Sequence, residues 1–147
     1  MGHAVIRRLR ARLTVARAGD DGSVLPLAIG YAMLALVAVL VCVDATSLYL
    51  AQKKLDGLAD AAALAGADGF VITADARAEL TDAGVREQAE ALVADVGEGA
   101  RLVEASTPDG TSARVRVTDL WRPPVITMFV PDGVRLQAQA TSRTALH

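Results

Sequence analysis

The sequence predicts an α+β protein: one long N-terminal helix, a second shorter helix and a small three-stranded antiparallel sheet. Three observations carry this. Val24 to Val43 is twenty residues without a charge, an apolar repeat of seven continues beyond it, and two later segments alternate apolar and polar residues strictly. The elements follow in chain order.

Residues 1–21 carry Arg7, Arg8, Arg10, Arg12 and Arg17 against Asp20 and Asp21. From Asp44 onward acidic side chains outnumber basic ones, so the charge is split along the chain although the overall charge is only −2. The uncharged run between them covers the ~30 Å hydrocarbon core of a bilayer at a rise of ~1.5 Å per residue. Burying such a helix in a soluble fold would need a core around every face, and the remaining chain is too short to supply it. The reading is a membrane span. The arginines place the N-terminal end in the cytoplasm by the positive-inside bias, and everything after the span lies outside. The expected organisation is a basic cytoplasmic N-terminus at 1–21, a transmembrane helix at 22–43 and an extracytoplasmic α+β domain at 44–147.

A basic flank before an apolar run also describes a signal peptide. Here the run is longer than a signal core and continues as helix, which favours a retained anchor over a cut near Ala45-Thr46-Ser47. Cys42 is the only cysteine, so no disulfide within the chain staples the outer domain, and the expectation for it is a small buried hydrophobe.

Beyond Asp44, Leu48, Leu55 and Ala62 fall seven apart, with Ala51, Leu58 or Ala59, and Ala65 between them. That is one apolar stripe on a continuing helix, with Gln52, Lys53, Asp56, Asp60 and Asp68 on the solvated face and Gly66 and Gly69 marking its end. Phe70-Val71-Ile72 leads into a second helical tract, in which Thr73 caps a short turn and Thr81 or Asp82 caps a helix running to Val96, stopped by Gly97 and Gly99. Val85, Ala89, Leu92, Val93 and Val96 form its inner face.

The period then changes to two. Ala113–Thr118 and Val134–Thr141 alternate as half-buried strands do, and Arg101–Ser106 is a weaker third strand. Thr107-Pro108-Asp109-Gly110 and Pro131-Asp132-Gly133 supply turns. A small sheet with one apolar face needs a cover, and the alanine-rich stripe of the long helix is that cover.

Catalytic constellations are scarce. His3 and His147 sit at opposite ends of the chain, and there is no GxSxG, HExxH or phosphate-binding GxxxxGK. Asp20-Asp21-Gly22-Ser23 lacks the spaced oxygen ligands of a calcium loop and reads as a helix cap. Asp56 and Asp60, one turn apart, read as solvated charge. The near-neutral charge shows no nucleic-acid footprint. The expectation is therefore no enzyme, no metal and no cofactor.

Two places invite contacts. Asp44 closes the apolar run, either as a border charge or as the partner of a cation on a neighbouring subunit. The stretch Asp119–Val130 holds the only tryptophan and a Pro-Pro pair. It is either a loop capping the core or an exposed patch of Trp121, Met128 and Phe129 for a partner or the membrane surface.

Asp21-Gly22-Ser23-Val24, the uncharged run, Val43-Asp44, Leu48-Tyr49-Leu50-Ala51, Lys53-Lys54-Leu55 and Ala59-Asp60-Ala61-Ala62-Ala63-Leu64-Ala65 resemble, in order and spacing, the N-terminal signature of TadE/TadG-like Tad/Flp pilus-assembly proteins. The resemblance implies a pilin-like fold and a minor-pilin-like structural or assembly component, a single-pass protein of the cell membrane. Other Tad/Flp membrane proteins are then its partners, in a homo- or hetero-oligomer. It adds Tyr49 to Asp44, Trp121, Met128 and Phe129 as candidate assembly contacts. It also makes Gly22 and Ser23 the candidate prepilin-peptidase site, with Leu27 where such substrates favour glutamate. The alternative function is a membrane-tethered outer domain that binds a partner unrelated to pili.

Overall fold

The computed structural model describes residues 21–143. The basic stretch read as cytoplasmic lies outside the described residues except for Asp21, as do both histidines. The chain divides into two compact units, one ending at Cys42 and the other beginning at Val43.

Helix α1, Asp21–Ala67, runs through that division. In the first unit its described side chains are apolar and, apart from half-buried Leu40, exposed, and the helix is long and apolar enough to cross a membrane. Cys42 is exposed here, contrary to the buried position expected of it, because no other element of its own unit covers it. Pro26 sits within the first turns of α1.

The second unit contains the rest of α1, strands β1 (Phe70–Ile72) and β2 (Ala78–Leu80), helix α2 (Asp82–Val96), and strands β3 (Arg101–Ser106), β4 (Ser112–Trp121) and β5 (Val134–Arg143). The architecture is α+β, with a three-stranded antiparallel sheet in the order β3-β4-β5. Leu55, Ala59, Ala62, Ala63 and Ala67 of α1 share one core with Val85, Ala89 and Val93 of α2 and with Val115, Val117, Leu136 and Ala138 of the sheet. The alanine face lets the elements approach closely. At Gly66 even an added Cβ would lie 3.0 Å from Val85 Cγ1 and 3.4 Å from Ala113 Cβ.

Helix α2 begins as expected. Thr81 is its N-cap, and its hydroxyl accepts the Gly84 N–H at 3.1 Å. Asp82 turns elsewhere, accepting the N–H of Thr107 at 2.7 Å. Val96, expected on the inner face, is exposed in the last turn, where the helix has run past the edge of the core.

Three details depart from the periodicity. The tract after Phe70 is a β-hairpin and not a helical turn, with Ala76 at φ 58 supplying the left-handed residue of its turn. Strand β3 carries a bulge: its register shifts between Leu102 and Glu104, leaving Val103 exposed. Gln52 is not on a purely solvated face, since its amide donates to the Gln137 carbonyl of β5 at 3.1 Å and to Asp56 at 2.9 Å.

Candidate functional site around Asp44

Asp44 is the first charged residue after the apolar run, and in the second unit it is buried, 6% exposed. Its Oδ1 accepts the backbone N–H of Val125 at 3.1 Å. Its Oδ2 is buried and, among the described residues, takes no hydrogen-bond partner. One helical turn on, Ser47 Oγ accepts the indole N–H of Trp121 at 3.1 Å. Both contacts come from the face of α1 that goes on to bury Leu55, Ala59 and Ala62. The helix just past the apolar run is thus bonded once to the end of β4 and once to the segment between β4 and β5.

That segment folds around its prolines. Pro123 is fully buried, and the Thr127 hydroxyl donates back to the Pro123 carbonyl. The N–H groups of Phe129 and Val130 both reach Ile126 O, at 2.8 and 3.2 Å, and Gly133 N–H reaches Val130 O at 3.2 Å. Gly133 has φ 69, and a Cβ there would lie 2.6 Å from Trp121 O, so only glycine fits the turn into β5.

The segment points its residues both ways. Trp121 is half-buried against the core and holds Ser47. Met128 and Phe129 are 87% and 81% exposed, and Val125 and Ile126 are exposed beside them. Core cap and exposed patch are therefore two ends of one loop. Tyr49 lies elsewhere on α1, exposed, with the Lys53 ammonium 5.9 Å from its ring centroid. Gly22 and Ser23 fall in the first turn of α1, in the other unit.

The sequence pointed to Asp44 and Trp121 but not to their partners. Ser47 had a signal, a hydroxyl one turn beyond Asp44 on the same face. Val125 had none, because a backbone donor leaves no trace in composition.

Among the described residues no three His, Cys, Asp or Glu side chains gather as a metal site would require. A cavity of about 310 Å³ opens between α1 and the end of α2, lined by Ala51, Leu55, Leu58, Ala61 and Val96. At its mouth Lys54 is paired with Glu98, and that ammonium holds the Glu98 carboxyl below its ordinary range. Among the described residues the arrangement supplies surfaces and clamps.

Residues 22–69 match the family model described as Tad, a putative Flp pilus-assembly TadE/G-like family. The chain carries a TadE/G-like segment. No curated protein and no solved structure matches the chain. The TadE/G-like segment takes in α1 from Gly22 onward and stops at Gly69, just before β1. It contains Asp44, Ser47, Tyr49 and the alanine face, while Trp121, Met128 and Phe129 lie outside it.

Proposed function

We propose that this protein is a membrane-anchored, minor-pilin-like structural or assembly component of a Tad/Flp-type pilus or secretion system. The observation that carries the proposal is the TadE/G-like match at residues 22–69, which falls on a helix long and apolar enough to anchor in a membrane. In this reading residues 22–43 span the cytoplasmic membrane, 1–21 stay in the cytoplasm and 44–147 form the extracytoplasmic domain. The protein does no chemistry. Its helix holds it for assembly and its outer domain provides contacts to other Tad/Flp membrane proteins or to further copies of itself. Asp44 acts within the domain as the clamp of the β4–β5 loop, and Tyr49 is left free for those contacts.

The test is deletion of the gene with pili and platform assembly as readouts, alongside crosslinking from membranes. Loss of pili, or co-purification with the Tad platform, supports the proposal. A deletion strain with normal pili and an intact platform overturns it and leaves the membrane-tethered binding domain as the better description. The N-terminal mass of the membrane-extracted protein decides processing: a chain beginning at Ser23 means prepilin-type cleavage after Gly22, and one beginning at Met1 or Gly2 means an unprocessed, retained anchor.

A further inference from the structure

We propose that the loop Pro123–Pro131 is a second membrane foot. Its apolar tip, Met128 and Phe129 with Val125 and Ile126, rests in the interfacial layer of the leaflet that α1 leaves at Asp44. The inference rests on the membrane-anchor reading above and adds a lipid-contacting surface to it.

Position comes first. Val125 is hydrogen-bonded to Asp44, and Asp44 is the first charge after twenty apolar residues, so in a bilayer the root of the loop lies where hydrocarbon gives way to headgroups. The four steps from Val125 to Phe129 reach at most ~14 Å even fully extended, so the tip stays close to that boundary. Trp121, at the base of the loop, belongs to the residue type that concentrates at this level.

Chemistry comes second. From Pro123 to Pro131 there is no charged residue. Immersion in an apolar medium also requires that backbone polar groups find partners inside the protein. Pro123, Pro124 and Pro131 have no N–H to satisfy, and the N–H groups of Val125, Phe129, Val130 and Gly133 are already bonded within the domain. The loop thus presents apolar side chains with half of its six N–H groups bonded within the domain, and leaves those of Ile126, Thr127 and Met128 to the water of the interfacial layer.

Area separates lipid from a protein partner. A stable protein interface buries roughly 800 Å² on each side and needs a matching shape. One loop tip with four apolar side chains falls short of that, whereas a leaflet needs no shape complement. Because the helix is already anchored, the foot does not need to bind tightly on its own. Its effect is to fix the tilt and rotation of the outer domain on the membrane.

The test uses the full chain with Cys42→Ser, reconstituted into vesicles of phosphatidylcholine and phosphatidylglycerol, with an environment-sensitive fluorophore on a new cysteine. Met128→Cys places the probe at the tip, Thr111→Cys places it beyond the opposite end of β4, and Leu34→Cys places it in the span. Nitroxide lipids labelled just below the headgroup should quench the Met128 probe at least about twofold more than the Thr111 probe, as expected of interfacial depth. The Leu34 probe should be quenched by lipids labelled deep in the acyl chain. If the Leu34 probe is quenched and the Met128 probe matches Thr111, the foot is wrong and the anchor stands. A Met128 probe that shifts to the blue without lipid quenching marks a protein contact and also overturns the foot. If the Leu34 probe is not quenched, anchor and foot fall together.

Discussion

The carboxylate of Asp44 accepts the backbone N–H of Val125 at 3.1 Å across 81 positions of sequence, and no side chain of the loop takes part in that bond. A long helix and the connection between two strands are therefore held by one acceptor. Asp44→Ala removes it and leaves a part-buried N–H without its partner, a change that costs about 1 kcal/mol. Asp44→Asn retains an acceptor oxygen and should lose less. Hydrogen exchange is the direct check: the Val125 amide should exchange faster in Asp44→Ala by more than the drop in global stability explains, whereas Val85 in the core should follow global stability alone.

The turn between β3 and β4 carries a titratable lock. Asp109 accepts hydrogen bonds from Thr111 N, Ser112 N and Ser112 Oγ at 3.0, 2.6 and 2.9 Å. The Thr111 backbone bond first, and the Ser112 hydroxyl after it, lower its pKa from 3.8 to about 2. A carboxyl lowered by folding stabilises the fold above its unfolded value. That contribution is therefore complete above about pH 4 and fades as pH falls toward 2. Asp109→Asn should flatten this part of the acid-unfolding curve and leave the slope near neutral pH unchanged, as followed by circular dichroism across an acid titration.

Gly84 offers a reversal of sign. It lies in the first turn of α2, where helix propensity alone favours alanine over glycine by ~1 kcal/mol. Packing opposes this, because a Cβ on Gly84 would collide with the Gly69 carbonyl, and a Cβ on Gly69 would lie 2.5 Å from Gly84 O. Gly84→Ala should therefore destabilise by roughly 1–3 kcal/mol, the range for overpacking. Thermal unfolding in detergent measures it, and a melting temperature at or above that of the parent chain would refute the crossing.

Much of this fold was legible because its elements announce themselves locally. Helix α2 has an apolar face and a threonine cap, β4 and β5 alternate, and the β3–β4 and β4–β5 connections each carry Asp-Gly. The β1–β2 hairpin was not legible: its strands are three residues each, and its left-handed turn residue is an alanine. Leu102 and Ala105, three apart, could not face the core together on a regular strand, so the bulge at Val103 makes β3 read weakly. At the candidate site the apolar run singled out Asp44, and rarity singled out Trp121. Their bonds join residues 74 and 81 positions apart, through a serine and a main-chain amide, and no periodicity encodes such pairings.

The alanine face of α1 has a consequence for how such a domain can change over generations. Ala59, Ala62, Ala63 and Ala67 are nearly or fully sealed from solvent in the same core as Val115, Val117 and Ala138. A methyl traded for a larger group on the helix must be answered by lost volume on the sheet or on α2. Exposed positions such as Tyr49, Met128 and Phe129 carry no such debt of volume. The packing of helix against sheet thus constrains the two as a matched set, and a TadE/G-like helix grafted onto another sheet would not be expected to pack.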